Sequence, residues 1–235
     1  MEDGERRLPA GLYLVATPIG NLEDITLRAI SVLRMADGVA CEDTRTGGNL
    51  LRHLGIRRPL LSYHEHNERQ RAIQLADAVA AGQAIALVSD AGTPAISDPG
   101  FRAVRECRRR GLPVIPIPGP CALAAAISAA GLPSDAFLFL GFLPPRSAAR
   151  RGILRRHGDF PHTLVIYESC HRVQKFLGEI AEELGPGRTV ALARELTKLH
   201  ETWSVGTAAA VAEILRAGVA RGEFTVLIAP ADFEL

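Results

Sequence analysis

AIALVSDAGTPAISDPG, residues 84–100, decides the fold. Its first half is a continuous apolar run, the mark of a strand buried on both faces of a sheet. Its second half, SDAGTPAISDPG from Ser89 to Gly100, holds two Gly, two Pro, two Asp and two Ser. Connections in α/β units have a median of roughly 4–6 residues, and longer ones are often functional. FRAVRECRRRG, residues 101–111, follows with helical character and stops at a glycine. The segment therefore reads as a βα unit of a parallel sheet, with a loop at the strand's carboxyl end where such sheets bind ligands.

The same unit recurs on either side. GLYLVATP (11–18), GVACED (38–43), PLLSY (59–63) and LPVIPIPG (112–119) read as short strands. TLRAISVLRMADG (26–38), LLRHLG (50–55), residues 65–81 and the Ala-rich PCALAAAISAAG (120–131) read as helices ended by or near glycine. At GFLPPRSAAR (141–150) the character changes, because adjacent prolines continue neither a helix nor a central strand. Beyond it, TLVIYES, TVALAREL, ETWSVG and EFTVLIAP read as strands, and VQKFLGEIAEELG and AAAVAEILRAG as helices. The expectation is two α/β domains of unequal size: residues 11–143 on a mostly parallel sheet and residues 144–235 on a mixed sheet.

Composition agrees and excludes several classes. The chain has 235 residues, 47% hydrophobic and 23% charged, which suits a packed globular protein. No apolar run reaches the roughly 18–20 residues that span a bilayer. The start, MEDGERRLPA, lacks the apolar core of a secretory signal, so a cytoplasmic location away from membranes is expected. Cys41, Cys107, Cys121 and Cys170 form no C-x-x-C pair and are expected as free thiols. His64 and His66 flank Glu65 without an evident third ligand, so no metal is expected. The net charge of +1 does not by itself call for nucleic acid, and any RNA footprint must come from local clustering.

Chemistry is expected just after each strand of the first half. TPIGNLEDIT (17–26), EDTR (42–45), the 89–100 loop and PGP (118–120) concentrate Gly, Pro, Asp and Thr there, and YESCHR (167–172) does so in the second half. Turn chemistry alone accounts for any one of these loops. Neither G-x-G-x-x-G nor G-x-x-x-x-G-K-[ST] occurs, so a ligand is held without the usual phosphate-binding glycine loops.

VATPIGNLEDITLRA, CEDTR, YHEHNE, LVSDAGTPAISDPG, PIPGPCALAAAISAAGL, FLFLGFLPP, YESCHR and ARELTKLHE resemble, in this order, the motifs of the ribosomal RNA small subunit methyltransferase I family. That family is similar to the tetrapyrrole methylases, class III methyltransferases without the G-x-G loop. The resemblance runs from about Leu12 to about Pro230. It implies two α/β domains with an S-adenosyl-L-methionine cleft between them, commonly in a homodimer. It implies cofactor contacts from Ser89, Asp90, Ala91, Gly92, Thr93 and Ile96. Cys121 and Ala122 approach the cofactor too, and Tyr167, Glu168 and Leu196 close the other side. The implied reaction is methyl transfer to the 2′-OH of a cytidine in the decoding region of 16S rRNA on the 30S subunit. Cys121 stands where the family usually has Ser, and Cys170 where it has Pro. The chain stops at GEFTVLIAPADFEL, before the helical extension of many relatives.

Such a reaction needs the two reactants aligned and the hydroxyl proton managed. Asp24, Asp43, Arg45, Glu195, Lys198 and His200 are the candidates for the second task. Asp43 is expected to take the proton or to anchor Arg45, and Lys198 to stabilise the developing oxyanion. For RNA, the candidates are Arg146, Arg150, Arg151, Arg155 and Arg156, with a second cluster at Arg102, Arg105, Arg108, Arg109 and Arg110. At about 100° per residue the first set surrounds a helix rather than striping it. Two other functions stay open: a precorrin-type tetrapyrrole methylase, and a non-catalytic rRNA-binding assembly factor.

Overall fold

The computed structural model describes residues 7–218 and 221–235. The chain divides into two units, Met1–Cys121 and Ala122–Leu235. In the first, β1 (Gly11–Val15) leads through a 3-10 turn (Leu22–Asp24) to α1 (Leu27–Met35). Then follow β2 (Gly38–Cys41), α2 (Thr44–His53), β3 (Leu60–Ser62), α3 (Glu68–Ala80), β4 (Ala84–Leu87), α4 (Phe101–Arg109) and β5 (Val114–Ile117). The strands lie in the order β3-β2-β4-β1-β5, and every pairing is parallel.

Side chains alternate across a strand, and here both faces are covered. Tyr13, Val15, Val39, Ala84 and Ala86 face one way and pack with Ala29, Val32 and Leu33 of α1 and Leu51 of α2. Leu12, Ala40, Ile85 and Leu87 face the other way, against Ala72, Leu75, Ala76 and Val79 of α3 and Ala103 and Cys107 of α4. This double burial is why the strands read as unbroken apolar runs instead of alternating ones.

The second unit begins with α5 (Ala122–Ala129) and β6 (Phe137–Phe142). It continues with α6 (Ser147–His157), β7 (Thr163–Ser169), α7 (Val173–Leu184), β8 (Thr189–Arg194), β9 (Thr202–Thr207), α8 (Ala208–Ala217) and β10 (Glu223–Ile228). Its sheet runs β6-β7-β10-β8-β9; β6 and β7 are parallel and the other pairs antiparallel. Leu154, Phe176, Leu177, Ile180, Val211 and Leu215 from α6, α7 and α8 cover one face. Ala126 and Ile127 of α5 pack on Val165, Ala191 and Leu227 of the other.

Two expectations need correction. The boundary falls between Cys121 and Ala122, not at 143/144. The physical reason is that α5 buries its apolar side on the second sheet and β6 hydrogen-bonds to β7. The last residues assigned to the first domain, before Pro144, instead form β6 of the second sheet. This is an edge strand whose register shifts between Phe139 and Gly141, so it lacks the clean apolar run of the central strands.

The prolines are fixed from below. Arg150 and Glu179 are 2% and 1% exposed and form a bidentate ion pair: Nη2–Oε1 is 2.6 Å and Nε–Oε2 is 2.9 Å. Arg150 Nη1 donates to the Pro145 carbonyl at 2.7 Å, and Ser147 Oγ donates to Glu179 Oε1 at 2.6 Å. Burial works against the Glu179 carboxylate, but the bonds from Arg150 and Ser147 prevail and hold its pKa below the ordinary value.

The arginines nominated for RNA are thus largely neutralised. Arg151 pairs with Glu182 and Glu183, and Arg155 with Glu183. In the other cluster Arg102 pairs with Glu68, Arg109 with Glu106, and Arg110 with Glu106 and Asp77. Their partners sit on neighbouring helices or one turn away, so much of each basic run is tied into salt bridges; Arg105, Arg108, Arg146 and Arg156 form none among the described residues.

Candidate functional site

Four loops meet at the carboxyl edge of the first sheet, joined by hydrogen bonds. Thr17, after β1, exchanges backbone bonds with Gly92, after β4: Thr17 N to Gly92 O is 2.9 Å and the reverse bond is 3.0 Å. The Thr17 hydroxyl donates to the Ser89 carbonyl at 3.1 Å. Thr93 Oγ1 donates to the Pro120 carbonyl after β5 at 3.0 Å. The Asp43 N–H, after β2, donates to Asp90 Oδ1 at 3.1 Å.

The 89–100 loop is strained as well as stitched. Gly92 sits at φ +84°, and a Cβ there would lie 3.3 Å from Ile19 Cγ2. Ala95 and Ser97 adopt φ +68° and +60° without being glycine. Among the described residues the other two such positions are Glu195 and Thr197, in the loop after β8. Left-handed non-glycine residues cost on the order of 1 kcal/mol each and concentrate at ligand-holding segments. Asp90, Ala91 and Ile96 are exposed on this loop, while Ser89 and Gly92 are buried beneath it.

The edge is acidic. Burial raises the Glu42 carboxyl, with Asp90 adding to the effect. Asp98 is pushed up to about 6 by burial, with Glu42 and Asp90 adding and Ser89 opposing. The Cys41 thiol is pushed up to about 11 by burial and by Asp90 and Asp43, so it stays protonated. All four cysteines are free, as expected.

Asp98 carries a pH signature. Its folded pKa lies above the unfolded value, so the native state binds the extra proton between about pH 4 and 6. Stability from this group is fullest below that window and declines as pH rises through it. The difference in urea midpoint between Asp98→Asn and the parent is therefore expected to change across pH 4–6 and to be flat above. A difference that stays constant across the window refutes the assignment.

The catalytic candidates separate. Asp43 caps α2 by accepting the Arg45 N–H at 2.8 Å, and its carboxylate is forked onto the Arg45 guanidinium at 2.6–3.1 Å. Those bonds hold its pKa at about 2. Asp43 is thus ion-paired to Arg45, which disfavours protonation of its carboxylate. Asp24 ends the 3-10 turn, and its Oδ2 is buried without a hydrogen-bond partner among the described residues. Lys198 Nζ lies 2.8 Å from Glu195 Oε1 and 2.9 Å from Glu223 Oε2. Burial opposes its charge, but the two carboxylates prevail and raise its pKa. It is a cation already shared between two anions. His200 donates nothing from its ring to a described residue; its carbonyl accepts from Arg194 at 3.3 Å.

In the second unit, Tyr167 accepts the Leu123 N–H at 2.8 Å and packs edge-on against Phe139 at 4.8 Å. Glu168 is buried; Oε1 accepts from Ser169 N and from Arg172, and Oε2 has no partner among the described residues. Leu196 packs against the cluster around Val165 and Leu227. Cys121 and Ala122 are half-buried and fall on either side of the unit boundary. The strained residues were missed from sequence. Positive φ at Ala, Ser, Glu and Thr leaves no compositional trace.

A parallel sheet with a stitched, strained loop after β4, no glycine-rich phosphate loop, and a second mixed-sheet unit defines a ligand-binding α/β protein outside the dinucleotide class. The model of the Tetrapyrrole (Corrin/Porphyrin) Methylases matches residues 11–212. The ribosomal RNA small subunit methyltransferase I of Mesorhizobium japonicum is 50% identical over 97% of this chain and 78% of its own length. That of Escherichia coli O157:H7 is 53% identical over 87% of this chain and 70% of its own. The chain belongs to the tetrapyrrole methylase family and, within it, to the ribosomal RNA small subunit methyltransferase I family. In fold it is similar to the uroporphyrin-III C-methyltransferase of Thermus thermophilus solved with S-adenosyl homocysteine: TM-score 0.61, 22% identity, covering 94% of this chain and 98% of that one.

Proposed function

We propose that this protein transfers a methyl group from S-adenosyl-L-methionine to the ribose 2′-OH of a cytidine in 16S ribosomal RNA, acting on the 30S subunit in the cytoplasm. The observation that carries the reading is the 50% identity, over nearly the whole chain, to a relative whose name states rRNA methylation. The residues present fit the cofactor. An edge carrying Glu42, Asp43, Asp90 and Asp98 repels a pyrophosphate and favours a sulfonium cation. The buried Ser89 Oγ, near Asp98 but without an aligned hydrogen bond, adds a polar group under the loop.

Ser89, Asp90, Ala91, Gly92, Thr93 and Ile96 would hold the cofactor from the β4 loop, with Cys121 from the chain after β5. When bound, S-adenosyl-L-methionine supplies an activated methyl, which forms a C–O bond to ribose as its S–C bond breaks. Asp24, with its unpaired carboxylate oxygen, takes the hydroxyl proton. Asp43 positions Arg45, 88% exposed, to meet a phosphate or the developing oxyanion. Lys198 holds the strained 195–198 loop by bridging Glu195 and Glu223.

Asp24→Asn is expected to lower turnover at least tenfold with cofactor affinity unchanged; equal turnover in calorimetrically normal protein removes Asp24 from this role. Asp43→Ala and Lys198→Ala are expected to reduce turnover while cofactor binding survives. Asp43→Ala should also lower stability through the lost helix cap.

Incubation with methyl-labelled cofactor and either 30S subunits or a porphyrinogen tests the substrate. Label in 16S rRNA is expected, and label in the porphyrinogen alone would overturn the reading. A homodimer is part of the proposal: Leu27, Phe101, Phe142 and Leu199 are exposed large apolar side chains. Sedimentation equilibrium is expected to return twice the 25.2 kDa chain mass. No helix among the described residues is long and apolar enough to cross a membrane.

A further inference from the structure

The salt-bridge networks on α4 and α6 leave the question of where RNA is gripped, and one pocket answers it. It lies where α2 ends and the chain turns into β3, and Gly48, Leu51, Arg52, Arg57, Arg58 and Leu60 line it. Arg52, Arg57 and Arg58 are exposed, and none forms a salt bridge among the described residues. Arg52 uses one guanidinium nitrogen on Asn49 Oδ1 at 2.9 Å. Arg58 donates Nε to the Arg34 carbonyl at 2.9 Å, which brings a fourth unpaired arginine beside the turn. Three arginines line one concavity with no acid paired to any of them among the described residues, whereas Arg151 and Arg155 on α6 and Arg109 and Arg110 on and after α4 are each bridged to Glu or Asp.

Gly48 points the same way. A glycine inside a helix costs roughly 0.5–1 kcal/mol relative to alanine. A Cβ at Gly48 would meet only Leu60 Cδ1, at 3.4 Å, an ordinary contact. Packing does not demand the glycine, and its effect is to keep the pocket floor open. Guanidinium forks match phosphate oxygens bidentately, and unpaired ones release counterions when they bind.

The position suits the substrate. Asp43, at the candidate site, caps the start of α2, and the pocket is at its other end. Ten residues of helix span about 15 Å, a reach of a few nucleotides along a strand. We propose that this pocket docks the phosphodiester backbone of the RNA substrate beside the nucleotide that is methylated. The inference rests on the rRNA reading above.

The test compares the parent chain with Arg52→Gln/Arg57→Gln, and with Arg151→Gln/Arg155→Gln as a control on paired arginines. Binding to transcribed 16S rRNA is measured across a KCl series, together with methyl transfer to 30S subunits and S-adenosyl-L-methionine affinity. Arg52→Gln/Arg57→Gln is expected to flatten the slope of log K against log salt by about 1.4 for single-stranded contact, with cofactor affinity unchanged. The control is expected to keep the parent slope. An unchanged slope in Arg52→Gln/Arg57→Gln overturns the proposal. So does an unchanged slope with an altered sedimentation mass, which marks the face as a contact between copies. If the parent methylates 30S subunits and only the variant result fails, this inference falls alone. If the parent neither binds nor methylates rRNA, the functional reading falls with it.

Discussion

Arg150→Ala is expected to destabilise the second unit by about 3–5 kcal/mol, the usual cost of stranding one member of a buried ion pair. The variant leaves Glu179 buried without its bidentate partner and leaves the Pro145 carbonyl without its donor. It also opens a cavity under the prolines that follow β6. Trp203, the only tryptophan, lies on β9 in the same unit and reports its unfolding by fluorescence in urea. Arg150→Met combined with Glu179→Leu separates charge stranding from packing. The double variant is expected close to the parent or above it, because desolvating both charges is costly in the native state. A loss below about 1 kcal/mol in Arg150→Ala contradicts the burial and pairing described.

Gly92→Val has the largest expected effect on the candidate site. At φ +84° a β-branched residue is an outlier, costing on the order of 1–2 kcal/mol before any clash. Its Cβ would also press on Ile19, 3.3 Å away. Gly92 gives both its N–H and its carbonyl to Thr17, so relief of the strain moves the junction of the β1 and β4 loops. Since that loop is proposed to hold S-adenosyl-L-methionine, affinity should fall at least tenfold, a change of about 1.4 kcal/mol. Far-UV circular dichroism should be retained, because β4 and α4 lie outside the junction. Gly92→Ala should fall between the parent and Gly92→Val. Unchanged affinity in Gly92→Val would sink the assignment of this loop.

Most of the fold was legible because both units obey strong local rules. Unbroken apolar strands such as Ala84–Leu87, with helices such as Phe101–Arg109 after them, leave few alternatives to a covered parallel sheet. The units' boundary was not legible, since it depends on where Ala126 and Ile127 are buried, and an Ala-rich helix reads the same against either sheet. β6 was hidden by its edge position and shifted register. The candidate site was legible in location but not in mechanism. Asp43 and Asp24 look alike in sequence, and only the fork from Arg45 and the unpaired Oδ2 tell them apart. The arginine runs misled for the same reason: Glu179, Glu182 and Glu183, which neutralise α6, lie about thirty residues away on α7.

The measurement that bears most directly on the central claim is a map of 2′-O-methylation on 16S rRNA from cells with and without this protein. One cytidine in the decoding region is expected to lose its 2′-O-methyl group in the deleted strain and to regain it when purified protein and S-adenosyl-L-methionine are added to the unmethylated 30S subunits. An identical methylation map in both strains would contradict it.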